Sequence, residues 1–482
     1  MTSARDYRGR AIRTASVRLL MAGLAAITAL FAFAAGAMAQ APAVRDPAEP
    51  LNGKPHPKIV ARPAGRFLQQ SLDLKGMRSL ISDLVKCGTR LTLASWDDRK
   101  RGPGCARDHI AARFSAISKE TGGKLQIVVD KFAMTSERTH NQPAPMQNVY
   151  GLLPGTDPAL SKTVFIVSGH FDSMPSFKDI MNPDLDAPGA DDDASGVAVS
   201  VECARLLSKF AQAHGGFRST LLFAAVSGEE QGLLGSTRLV EWIKQQGYSV
   251  AGMLDDDIVG ADFAPGAPHR VRLFSGNGEI EDADSWSREL ARAIEEIDGR
   301  SAIRMIFRVD RYGRGGDHYP FYKAGYPAVR FTEPLENYDH QHQTPRTENG
   351  VEYADYEKFL NFAFLGRVAL DNAEALRQLA LSPAPPGRAL LKGAVSPDAK
   401  VSWEAPEDAE RAGFEILWRE TTEARWQVYD FLEKSGETVL QGVSTDNHFF
   451  AVRSVGKNGA RSIAVPMEME RRGPPLPTKA KE

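Results

Sequence analysis

Between residues 66 and 378 the chain alternates between two kinds of segment. Apolar runs of strand length at 163–168, 220–226 and 328–331 are separated by helix-like stretches at 195–210, 285–297 and 356–376. A strand that is apolar on consecutive residues must bury both faces, and helices between strands supply the cover. The pattern predicts an α/β domain over 66–380, with a mixed, largely parallel sheet and helices on both faces. In such sheets ligands bind beyond the carboxyl ends of the strands. The residues that follow each apolar run therefore carry the most information.

The pattern changes after Ser382-Pro383-Ala384-Pro385-Pro386-Gly387, a Pro-rich hinge signal within 381–388. Short strand-like runs at 401–403, 414–419, 426–428 and 448–455 follow at fairly regular spacing. They predict a small all-β sandwich over 389–470. The runs around Trp403, Trp418 and Phe450 resemble a fibronectin type III module. Trp403, Trp418, Phe450 and Val452 read as sandwich core rather than as a binding face. Residues 471–482 are rich in Pro and Lys and read as a disordered tail.

The amino terminus reads as an address. Arg5, Arg8, Arg10, Arg13 and Arg18 precede an apolar run from Leu19 to Ala35, and Ala37-Met38-Ala39 offers an A-x-A cleavage site. Residues 1–39 are therefore expected to be a signal peptide, and the Pro-rich stretch 40–65 a linker. Export to the periplasm or the exterior follows, with no stable membrane anchor after cleavage. Loss of five arginines and one aspartate takes the formal charge from −2 to −6. That balance argues against a nucleic-acid partner. An oxidising destination lets Cys87 and Cys105 pair, worth about 3 kcal/mol by loop entropy. Cys203, beside Val201, Ala204 and Leu206, reads as a buried thiol.

Five patches of acids or histidines carry the chemistry. Ser168-Gly169-His170-Phe171-Asp172 follows one apolar run, and Gly189-Ala190-Asp191-Asp192-Asp193 opens a helix. Ser227-Gly228-Glu229-Glu230 follows a second run. Asp255-Asp256-Asp257-Ile258-Val259-Gly260 is another acidic triplet. Asn337-Tyr338-Asp339-His340-Gln341-His342 is the last, with Asp317-His318 upstream. An acidic helix cap explains one aspartate of a triplet and not three. Adjacent buried carboxylates repel, and a cation relieves them. Imidazole with carboxylate suits zinc. No H-E-x-x-H, G-x-S-x-G or P-loop motif competes.

In this order the five patches resemble the co-catalytic two-zinc exopeptidases, the family of secreted bacterial leucyl aminopeptidases that includes plasma glutamate carboxypeptidase and the glutaminyl cyclases. The resemblance covers residues 75–375 and implies the zinc exopeptidase fold. Residue by residue, it makes His170 a zinc ligand and Asp172 its orienting acid. Asp192 becomes the carboxylate bridging two zinc ions, followed by a cis peptide to Asp193. Glu229 becomes the general base, Glu230 and Asp257 terminal ligands. His342 becomes the last ligand, with His340 a competitor, because Gln343 and Arg346 stand where the family shows Thr and Asp. Asp317 resembles an acid behind the ligands at the substrate end. Two Zn²⁺, Asp192, Glu230, Asp257 and one hydroxide would balance in charge.

The resemblance implies an aminopeptidase acting on peptides with a free amino terminus. A hydroxide held by the zinc pair would attack the scissile carbonyl, with Glu229 as base. A glutaminyl cyclase and a carboxypeptidase-type exopeptidase stay open as alternatives within the family. A non-enzymatic role, with the sandwich binding a partner, is the alternative from another class.

Overall fold

The computed structural model describes residues 65–264, 266–276, 285–299, 302–306, 315–392 and 396–470. The expected signal peptide and tail lie outside these residues, as does the expected linker up to residue 64. Gly65 already begins a helix, α1 (Gly65–Ser71). Two further helices, α2 (Leu74–Val85) and α3 (Pro103–Glu120), precede a strand pair, β1 (Gln126–Met134) and β2 (Ala144–Leu153). Then come β3 (Thr163–His170), α4 (Ala194–His214), β4 (Thr220–Val226), α5 (Leu234–Gln245) and β5 (Ser249–Asp256). Next are β6 (Val271–Phe274), α6 (Trp286–Ile297), β7 (Ile303–Ile306), α7 (His318–Lys323) and β8 (Ala328–Thr332). A short hairpin, β9 (Arg346–Glu348) with β10 (Val351–Tyr353), leads into α8 (Phe362–Leu381).

The eight strands form one sheet in the order β1-β2-β4-β3-β5-β8-β6-β7. The central strands β4, β3, β5 and β8 run parallel, while β1, β2 and the β8–β6 pair are antiparallel. The sheet is mixed with a parallel centre, in line with the sequence. Alternate residues of β4 explain its continuous apolarity. Leu221, Phe223 and Ala225 join a core with α2, α3, α4 and α8, whereas Leu222, Ala224 and Val226 pack with α5 and Phe321 of α7. Helix α8 starts later than its apolar pattern suggested, because Asn361 caps it through Ala363 and Phe364 N–H groups.

Register fixes what stands at the carboxyl edge of the sheet. His170 pairs with Val226, Ser168 with Asp255, and Asp255 with Arg330. The ends of four neighbouring parallel strands therefore deliver His170, Glu229, Asp257 and Arg330 to one edge.

After the Pro-rich segment come β11 (Arg388–Lys392), β12 (Ala399–Glu404), β13 (Arg411–Glu420), β14 (Gln427–Leu432), β15 (Gly436–Leu440), β16 (His448–Gly456), β17 (Val465–Pro466) and β18 (Glu468–Met469). They make two four-stranded sheets, β15-β12-β11-β18 and β14-β13-β16-β17. Trp403, Phe414, Ile416, Trp418, Phe450 and Val452 fill the space between them, as the alternation predicted. The outer face of β13 and β16 meets α6. Arg425 grips Glu295 at 2.7 and 2.8 Å, Arg453 grips Glu296 at 2.6 and 2.8 Å, and the Trp426 indole donates to Glu289 at 2.6 Å. Arg218 adds a bidentate pair to Asp408 at 3.0 Å. Among the described residues no helix is long and apolar enough to cross a membrane.

Candidate metal centre

Each acidic triplet divides its labour. Asp193 caps α4 by accepting the Gly196 N–H at 2.8 Å, and it also accepts the His170 N–H at 2.9 Å. Asp191 accepts the Gly260 N–H at 2.7 Å. Asp192, joined to Asp193 by a cis peptide, is left facing the histidines. In the second triplet Asp255 accepts the His318 N–H at 3.1 Å and Asp256 accepts from the Asn372 side chain at 2.9 Å. Asp257 is left facing His170.

The two oxygens of Asp192 face different partners. Oδ1 lies 3.2 Å from His170 Nε2, and Oδ2 lies 2.8 Å from His342 Nε2. Asp257 Oδ1 stands 4.0 Å from His170 Nε2, and Glu230 Oε1 stands 3.0 Å from His342 Nε2. The result is two groups of metal-ligating side chains, His170-Asp192-Asp257 and Asp192-Glu230-His342, that share Asp192. All five residues expected as ligands are thus brought together. His340 is not among them. Its ring stacks on Phe359 at 3.7 Å and lines a separate cavity of about 260 Å³. A third group, Cys87-Cys105-His109, offers no thiolate, because its sulfurs are bonded to each other at 2.03 Å. Cys203 is buried and free.

Two expected supporting acids, Asp172 and Asp317, lie close to His170. The nearer acceptor for His170 Nδ1 is the backbone carbonyl of Asp172 at 3.1 Å, with the Asp172 carboxylate at 3.6 Å. That carboxylate also accepts the Glu229 and Glu230 N–H groups at 3.2 and 3.1 Å. Asp172 therefore ties the His170 loop to the loop of Glu229 and Glu230. Asp317 is fully buried beside Asp255 and His170, behind the residues that line the cavity.

The electrostatics favour added positive charge. Burial opposes protonation of His170, but Asp172 and Asp192 outweigh it and push the imidazole well above its ordinary range. Against the same burial, Glu230 and Asp192 push His342 up to about 11. Burial raises the Glu229 carboxyl well above the carboxylate range, and Glu230, Asp257 and Asp317 add to the rise, against the opposing pull of His170. Burial also raises Asp257, opposed by Arg330. A cation among these acids would relieve the repulsion, and two imidazoles with three carboxylates are a donor set that fits zinc.

A cavity of about 770 Å³ opens over the two groups. His170, Asp192, Glu229, Glu230, Asp257 and His342 all line it. Arg138, from the excursion between β1 and β2, reaches the wall and donates to the Glu230 carbonyl at 2.6 Å. Four supporting residues escape sequence reasoning. Arg330 donates to Asp257 Oδ2 at 2.7 Å, and Gln341 to Asp192 Oδ2 at 3.1 Å. Asp355 accepts the N–H groups of Asp191 and Asp192 at 2.8 and 2.7 Å. Arg90 is wholly buried behind the loops. Only Arg330 carries a signal, as a charge inside an apolar strand; nothing local marks the others.

Comparison with known proteins agrees with this geometry. Residues 148–361 match the family described as Peptidase family M28, a span holding every ligand candidate. A probable zinc metalloprotease of Pyrenophora tritici-repentis is 36% identical over 425 residues, covering 83% of this chain and 86% of that protein. One of Leptosphaeria maculans is 37% identical over 418 residues, covering 82% and 95%. The structure of LapB from Legionella pneumophila shares the fold with a TM-score of 0.51 at 19% identity, covering 67% of this chain and 76% of that one. By sequence the chain belongs to peptidase family M28 and is a metallopeptidase.

Proposed function

We propose that this protein is an exported aminopeptidase that holds two zinc ions and removes amino-terminal residues from peptides. The observation that carries the reading is the split of Asp192, one oxygen toward His170 and the other toward His342. A carboxylate so placed suits a bridge. His170 and Asp257 would complete one site, and Glu230 with His342 the other. The relatives named zinc metalloproteases favour the same metal.

Zinc in these sites would supply an activated water and a Lewis acid for the scissile carbonyl. The chain supplies the rest. Glu229, in the cavity wall, accepts the proton of the attacking water and returns it to the leaving amine. Its burial-raised pKa suits transfer in both directions. Asp172 fixes that carboxylate's backbone through the Glu229 N–H. The acid-rich cavity favours the α-ammonium group of a substrate, which confines cleavage to the free amino end. Export rests on the arginine-rich amino terminus and the A-x-A site. The two four-stranded sheets with their Trp403, Trp418 and Phe450 core support a fibronectin type III-like module.

The test is a kinetic screen of aminoacyl-nitroanilides with and without chelator. Peptides blocked at either end and a peptide with amino-terminal glutamine complete the set. Chelator-sensitive release from free amino termini supports the reading. Cleavage of amino-blocked but not of carboxyl-blocked peptides would reassign the activity to a carboxypeptidase, and cyclisation of the glutamine peptide without hydrolysis to a glutaminyl cyclase.

A further inference from the structure

The segment closed by the Cys87–Cys105 disulfide lies outside the cavity wall, yet it contacts two of the three segments that carry the ligand candidates of the first site. Arg90 is the centre of this contact. Its guanidinium, 0% exposed, is bracketed by backbone carbonyls. Nε donates to Phe171 O at 2.6 Å, one Nη to Pro188 O and the other to Gly189 O at 2.7 Å. Phe171 lies between His170 and Asp172, and Gly189 lies three residues before Asp192. The planar fork of arginine suits such a bracket, whereas lysine presents a single ammonium.

Independent contacts support the same frame. The Arg90 N–H donates to Ser173 Oγ at 3.0 Å, and Ser173 Oγ donates to Ala187 O at 2.7 Å. Thr92 donates to the Asp172 carboxylate at 3.3 Å, and Ala187 N–H donates to Gly88 O at 2.9 Å. The Trp96 ring meets Phe171 edge-on at 6.1 Å. Gly189, at φ +51°, leaves room for the bracket, since a Cβ there would lie 2.7 Å from Arg90 Nη2. The charge belongs here too: burial lowers Arg90 to about 10, while Asp355, Asp172, Asp193 and Asp192 oppose that fall. The guanidinium is therefore protonated at neutral pH.

We infer that Arg90 is a positioning residue of the metal centre, tying the His170–Asp172 loop to the 188–192 loop, and that the disulfide-closed segment 87–105 is the frame that holds it. The inference rests on the proposal that His170 and Asp192 bind zinc. Arg90 touches no substrate; it sets the separation of two ligands. Outer partners of this kind are worth about 10- to 100-fold in metal affinity.

The experiment titrates metal-free full-length protein with Zn²⁺ alone against a chromophoric chelator, in wild type, Arg90→Lys, Arg90→Met and Cys87→Ser/Cys105→Ser. Arg90→Lys and Arg90→Met are expected to bind zinc about 10- to 100-fold more weakly. At fixed low zinc their kcat should fall with KM little changed, and excess zinc should restore it, which a general folding defect would not allow. Wild-type affinity in Arg90→Lys would overturn the bracket. If Arg90→Met does not fold, the double cysteine variant bears the same test on the frame: weaker zinc binding supports it and unchanged binding overturns it. A wild type that takes up no zinc would instead overturn the zinc proposal, and this inference with it.

Discussion

Arg330 Nη2 lies 2.7 Å from Asp257 Oδ2, so that only Oδ1 of this carboxylate faces His170. Both side chains are at most 5% exposed. The pairing lets a strand-interior cation offset one acid of a crowded site. Removing one partner of a buried ion pair typically costs about 3–5 kcal/mol, because the other charge is left uncompensated. Arg330→Met should lower the melting temperature of the chelator-treated protein more than that of the zinc-loaded protein, since zinc supplies the missing positive charge. Equal losses in calorimetry of the two forms would contradict this.

Glu229→Gln tests the base. The amide keeps the shape and the Asp172 contact to the backbone but cannot accept the proton. Turnover should fall about 10²- to 10⁴-fold, while elemental analysis finds wild-type zinc content. Near-full activity would remove Glu229 from the mechanism.

The neighbouring histidines give a matched pair. His342 approaches Asp192 and Glu230, while His340 stacks on Phe359. His342→Ala should lose zinc from one site and most of its activity. His340→Ala should keep both. The reverse outcome in elemental analysis would exchange their roles.

The buried charge cluster of the carboxy-terminal module, which reaches α6 through the Arg453–Glu296 pair, has its own pH signature. Glu415 is fully buried between Arg453 and Arg461 at 2.7 and 2.9 Å. Burial alone would raise its pKa, but the two guanidinium groups hold it at about 2, below the ordinary 4.5. A depressed carboxyl stabilises the folded state above its unfolded pKa, and that stability is lost as pH falls from 4.5 toward about 2. The difference corresponds to about 3 kcal/mol. The melting-temperature gap between wild type and Glu415→Gln should therefore be full at neutral pH and shrink below about pH 4.5. A gap independent of pH would contradict the pairing.

Much of this was legible in the chain. Continuous apolarity of residues 220–226 follows from burial on both faces of a parallel sheet, and the acids just beyond it mark the edge where ligands gather. His170, Glu230 and Asp257 stand at or just past strand ends and Asp192 opens a helix, while their reading as ligands, and that of His342, rests on the resemblance of the five patches to the zinc exopeptidases. The duties of their neighbours were not legible. Nothing in Asp191-Asp192-Asp193 says that the outer two hold Gly260 and His170 while the middle one faces the cavity. That division depends on which N–H groups the fold brings near. Arg90 and Asp355 were hidden for the same reason: Asp355 lies 163 residues from the Asp192 N–H it accepts, and no local pattern encodes such a distance. The role of Asp172 was half legible. Its spacing from His170 suggested an orienting acid, but nothing local says that its carboxylate also serves the Glu229–Glu230 loop.

The shared carboxylate of Asp192 is the centre of the account. Zinc per chain, measured by elemental analysis of wild type and Asp192→Asn after zinc loading and gel filtration, tests it most directly. The account predicts two zinc ions in wild type and fewer than one in Asp192→Asn. A wild type that holds a single zinc, or an Asp192→Asn that still holds two, would contradict it.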